Sequence, residues 1–156
     1  MPGTDFYSVA AERTQSTGLR NLLQQLASRA ETLAGLQREL QEAIMRNREV
    51  RTGKPVRFSK KAKKTIREFE QDAREASQGL SERVAKLSDE SLLRIALTSE
   101  RQQLSMEEQL YATFHEDDKK AANRVLEFRR KTIDVIERYV EGSEFKGSVT
   151  IKHVQS

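Results

Sequence analysis

Cysteine is absent from the chain, which removes a disulfide framework, a thiolate metal site and a cysteine nucleophile at once. That fits a reducing, cytoplasmic setting. Only two prolines and seven glycines occur in 156 residues, so little interrupts a helix, and the abundant leucine, glutamine, glutamate, lysine, arginine and alanine favour long ones. No run of about 18 apolar residues could span a bilayer, and no basic-then-apolar leader opens the sequence. Membrane partners are not expected. Apolar residues make up 36% and charged residues 33%, which suits one domain with a modest core.

Catalytic patterns are missing too. There is no glycine-rich phosphate loop, metal-ligand spacing or nucleophile motif, the carboxylates sit in helical charge patterns, and His153 has no paired base. The expectation is a non-enzyme with no cofactor, no bound metal and no small-molecule substrate.

What is present is a leucine heptad over residues 19–44. Alternate steps of three and four from Leu19 meet Leu22, Leu26, Arg29, Leu33, Leu36, Leu40, Ala43 and Asn47, with Leu23, Ala30 and Ile44 widening the seam. A stripe that broad suits a bundle helix packed on two or more neighbours better than a bare two-stranded coiled coil. Ser16 or Thr17 caps this helix, which should end near Arg48. Leu19, Leu22, Leu26, Leu33, Leu36, Leu40 and Ile44 are the candidate helix-packing interface.

Residues 46–67 carry ten bases (Arg46, Arg48, Arg51, Lys54, Arg57, Lys60, Lys61, Lys63, Lys64 and Arg67) against Glu49 alone. That segment is at +9, so the rest of the +4 chain is at −5. Thr52, Gly53, Lys54 and Pro55 break the helix. Four lysines then crowd the first turns after Ser59, where the helix dipole is already positive, so an external anion should offset them. Three readings compete: phosphates of a nucleic acid, an acidic protein partner, or a merely solvated turn. Phe58 is the sole aromatic of the run, so recognition would go by charge and not by base stacking.

A second long helix is expected over 60–87, with Ile66, Phe69, Ala73, Ala76, Leu80 and Val84 on one face. Ser88 caps a shorter, more buried helix over 89–104, and Ser105 with Glu108 forms an S-x-x-E capping box that should start the last helix. Its two adjacent seams run through Leu110, Phe114, Val125, Phe128, Val135 and Tyr139, and through Leu126, Ile133, Ile136 and Val140. Gly142 should end it as a left-handed cap. His115, Glu116, Asp117 and Asp118 interrupt that helix with a charged cluster, read as a solvated turn, a kink or an acidic docking patch; a metal site is disfavoured because helical neighbours diverge.

At the ends, residues 1–17 read as an arm or a short helix, either docked or frayed. Residues 143–156 change to β-branched alternation, with Val149 and Ile151 as strand-pairing positions on a partner's edge, on a copy of the chain, or on a mobile tail. The expected architecture is thus all-α: an antiparallel bundle of about four long amphipathic helices over 18–142 with coiled-coil-like seams, a basic inter-helix loop and a short C-terminal β-strand. The expected role is a helical assembly or adaptor subunit, a homo-oligomer or the partner of another helical protein. The alternative is a charge-driven, non-sequence-specific nucleic-acid-binding subunit, as in a ribonucleoprotein.

Overall fold

The computed structural model describes residues 4–53 and 79–149. Lys54, Arg57, Lys60, Lys61, Lys63, Lys64, Arg67 and Ile151, with most of the helix expected over 60–87, lie outside the described residues. Those described form an all-α fold: α1 (Thr4–Arg13), α2 (Thr17–Thr52), α3 (Leu80–Ala85), α4 (Asp89–Tyr111) and α5 (Glu116–Glu141).

α2 is the spine. The Ser16 hydroxyl accepts the Leu19 amide at 3.2 Å and so satisfies one donor of the first turn. The helix runs 36 residues, about 54 Å, past the expected stop near Arg48. Gly53 ends it in a left-handed conformation (φ 66°), its amide donating to the Glu49 carbonyl at 2.8 Å. α5 lies antiparallel along it, because Arg29 reaches Thr132 while Asn47, further along α2, reaches Asp118 near the start of α5. α4 and α5 form a second antiparallel pair, with Arg101 meeting Glu137 and Glu107 meeting Arg129. α1 folds back against α2 and α4: Tyr7 contacts Glu100 and Thr14 contacts Asp89.

Two apolar clusters hold these helices. The first joins Tyr7, Leu19, Leu23, Leu26, Leu92, Leu93, Leu97, Ile136 and Val140, with Val84 of α3. The second joins Leu40, Tyr111, Ala122, Val125 and Leu126, with Leu33, Leu36 and Ile44 half-buried against it. The leucine seam of α2 is therefore spent inside the chain. Full burial of one such side chain is worth about 1.5–3 kcal/mol relative to exposure, enough to fix the register of a helix pair.

Several expectations are corrected. The Ser105–Glu108 box starts no helix: α4 passes through it, since Glu107 turns inward to an arginine of α5 and a break there would lose that contact. The break comes at residues 112–115, and His115, Glu116, Asp117 and Asp118 open α5 instead of interrupting it, three acids in the first turn complementing the dipole. α3 begins after Gly79 (φ 73°), its cap, and ends at Ala85, short of the expected 87. Gly142 has φ −89°, and the chain keeps turning into a helical turn over 146–149. Val149 is thus helical, its amide donating to the Phe145 carbonyl at 3.0 Å, and it is buried in the first cluster. Among the described residues there is no strand: an isolated one would leave its backbone groups unpaired, whereas a helical turn satisfies them locally. The N-terminal stretch is a docked helix, with Phe6, Tyr7, Ala10 and Ala11 buried.

Candidate functional site

Between the two apolar clusters lies a layer of charge. Arg29 of α2, Glu100 and Glu107 of α4 and Arg129 of α5 occupy seam positions of their helices, with Leu26 and Leu33, Leu97 and Tyr111, and Leu126 and Ile133 on either side. Arg129 is only 4% exposed, Glu100 6% and Glu107 8%. Arg129 donates to Glu100 Oε2 at 2.6 Å and, through Nε, to Glu107 Oε1. The remaining oxygens are taken as well: the Tyr7 hydroxyl donates to Glu100 Oε1 at 2.7 Å and the Tyr111 hydroxyl to Glu107 Oε2 at 3.2 Å. All four carboxylate oxygens thus have internal donors.

Arg29 completes the balance. Its Nε donates to Thr132 Oγ1 at 2.8 Å and a terminal nitrogen to the Phe128 carbonyl at 3.1 Å, while its guanidinium lies 4.1 Å from the centre of the Phe128 ring. Two arginines against two glutamates make the layer formally neutral. Burial still acts on each group. It pushes Glu107 above the usual carboxylate range against the pull of Arg129, lowers Arg29 against the pull of Glu100, and raises Tyr111 to about 12 with help from Glu107. Tyr7 is raised further by burial and by Glu100. A layer so fully paired holds α1, α2, α4 and α5 at one level.

A second polar contact closes the far end of α2. Asn47 donates to Asp118 Oδ1 at 2.7 Å and to the Asp117 carbonyl at 3.1 Å, and Arg51 pairs with Asp117 at 2.6 Å. The acidic cluster therefore docks the chain's own helix. Of the basic residues expected to meet an anion, Arg51 is neutralised here, whereas Arg46 and Arg48 are exposed without an ion pair among the described residues. No group of three or more His, Asp or Glu residues is placed to hold a metal among the described residues. Nor is any described helix long and apolar enough to cross a membrane.

The outward face of α4 carries little charge. From Ile95 to Leu110 its exposed residues include Thr98, Gln102, Ser105, Met106 and Gln109, with Glu108, turned towards Arg130 of α5, as the exposed charge of the span. Met106 is 62% exposed and Leu110 56%. The sequence carried signals for both features. Arg29 was visible as the charged step of a leucine seam, and Glu100 and Glu107 stand seven residues apart in line with Leu93, Leu97 and Leu104. The bare face shows only once the charges of α4 are assigned to its other sides. No family model, curated protein or solved structure matches the chain.

Proposed function

We propose that the chain is a non-enzymatic helical assembly subunit that associates through an exposed helix face. The observation that carries this reading is the charge-poor outward face of α4, with Met106 and Leu110 exposed on it. The leucine seam supports the fold from within, so the associating face is α4 and not the 19–44 stripe. Exposed helical faces stay soluble through lysine and glutamate; a neutral face with Met106 and Leu110 prominent has the composition of an interface core, which is depleted in charge.

A charge-driven contact with nucleic acid is the second reading, favoured by the exposed Arg46 and Arg48 at the end of α2, where the basic segment begins. Light scattering coupled to size exclusion, at low and high salt and with a mixed-sequence oligonucleotide, separates the two. Assembly gives a mass above the monomer at both salts and no oligonucleotide shift. A monomer that co-elutes with the oligonucleotide only at low salt, and loses it when Lys60, Lys61, Lys63 and Lys64 become glutamine, overturns the first reading. Its affinity would fall with a slope of about 0.9 per neutralised phosphate on duplex DNA.

A further inference from the structure

We infer that the polar contacts between two helical hairpins act as a register lock, selecting one of several alignments that the leucine seam alone would accept. The inference goes beyond the assembly reading and does not depend on it. α1 with α2 makes one hairpin and α4 with α5 the other. Residues 54–78 separate them in sequence, a length that reaches well past one heptad and sets no alignment by itself. Across the contact α2 repeats every seven residues: Leu19, Leu26, Leu33 and Leu40 form one row, and Leu22 and Leu36 flank Arg29 in the other. α5 repeats likewise through Leu126, Ile133 and Val140. A slide of seven residues, about 10.5 Å, therefore sets leucine where leucine was, and apolar contacts of similar volume separate the alignments weakly.

The polar contacts do separate them. The Arg29 guanidinium donates to Thr132 Oγ1 and the Phe128 carbonyl, the Tyr7 hydroxyl to Glu100 Oε1, and the Asn47 amide to Asp118 Oδ1. Sliding the first hairpin by one heptad towards residues 112–115 would bring Arg29 against the fully buried Val125 and Leu40 against the buried Asp118. Sliding it the other way would bring the Tyr7 hydroxyl to the level of Leu93 and Asn47 against Val125. Either slide strands hydrogen-bonding groups among apolar neighbours, a far larger penalty than exchanging one leucine for another. Helical bundles and coiled coils fix their alignment in this way, with a polar group at a seam position.

The absence of cysteine lets spin labels be placed singly. Asn21 on α2 and Lys120 on α5 are both exposed. Asn21 lies eight residues before Arg29 and Lys120 twelve before Thr132, so labels on Asn21→Cys and Lys120→Cys stand about 30 Å apart along the bundle. Pulsed dipolar electron resonance should give one distance in the parent. With Tyr7→Phe, Arg29→Leu, Asn47→Leu and Asp118→Leu combined, the chain should stay helical by circular dichroism and give a further population displaced by about 10 Å. A single unchanged distance in this variant would mean that apolar packing alone sets the alignment, and it overturns the inference. Loss of helix overturns it as well, since the contacts would then supply stability and not choice. Neither result bears on the assembly reading, which light scattering tests.

Discussion

Replacing Arg129 by methionine tests the buried layer most severely. The substitution keeps much of the volume but removes the cation shared by Glu100 and Glu107, leaving two carboxylates under a tenth exposed with Arg29 as the nearest compensating charge. Breaking a buried ion pair from one side costs about 3–5 kcal/mol, because the surviving charge keeps its desolvation penalty without its partner. Stability for domains lies at about 5–15 kcal/mol, so the variant should lose a large share of it. Urea unfolding followed by circular dichroism reads the loss as a lower midpoint at unchanged slope. Acidification should partly rescue the variant, since protonating Glu107, which burial already pushes above the usual carboxylate range, removes part of the stranded charge. Replacing Arg129, Glu100 and Glu107 together by leucine or methionine should recover most of the loss, because a well-packed apolar layer costs no desolvation. A penalty below about 1 kcal/mol for Arg129→Met, the range of exposed pairs, would mean that water reaches the layer and would refute the reasoning.

Other consequences are independent. Tyr111 stays neutral in the folded chain until about pH 12 against 10.0 for the free side chain, so its contribution is complete below pH 10 and is lost as pH rises towards 12; a phenolate absorbance titration should lose that component in Tyr111→Phe. Ser88→Ala should cost about 1 kcal/mol because its hydroxyl caps α4 by accepting the Ser91 amide, whereas Ser105→Ala should fall within about 0.5 kcal/mol of the parent. Asp118→Ala should cost about 1 kcal/mol by removing the buried acceptor of the half-buried Asn47, and Arg51→Gln less than about 1 kcal/mol because its main contact, Asp117, is half exposed; both are read by chemical denaturation.

How far the sequence discloses this fold depends on whether a signal is periodic or relational. The α2 helix and its Ser16 cap are local patterns and both are present, with Leu19, Leu22, Leu26 and Leu40 of the seam buried and the helix running on to Thr52. The Ser105 box is also a local pattern, yet it is overridden because its neighbour Glu107 has a partner 22 residues away that single-helix reasoning does not see. Gly142 and Val149 fail for the same reason: the local preference for a left-handed cap and an extended strand yields to the burial of Val149 against the first cluster. The acidic start of α5 was noticed as a cluster, but its role as the dock for Asn47 and Arg51 needed the antiparallel pairing of α2 and α5.

The buried layer and the bare face are two consequences of how α4 spends its charges. Between Ile95 and Leu110 it carries four: Glu100 and Glu107 go inward to Arg129, while Arg101 and Glu108 turn to Glu137 and Arg130 on α5. Packing does not forbid further charge on the outer side. Thr98, Gln102, Ser105 and Gln109 are exposed, and lysine or glutamate there would favour both helix formation and solubility. On the proposed assembly reading their neutrality reflects a partner surface, since a buried unpaired charge costs far more than a paired amide. Gln102→Lys isolates that argument. It should leave the unfolding free energy within about 0.5 kcal/mol of the parent, as a substitution at an open helical site does. It should also set a charge in the middle of the exposed face and lower the mass above the monomer read by light scattering. If the mass above the monomer is unchanged in Gln102→Lys, the neutrality of α4 has another cause.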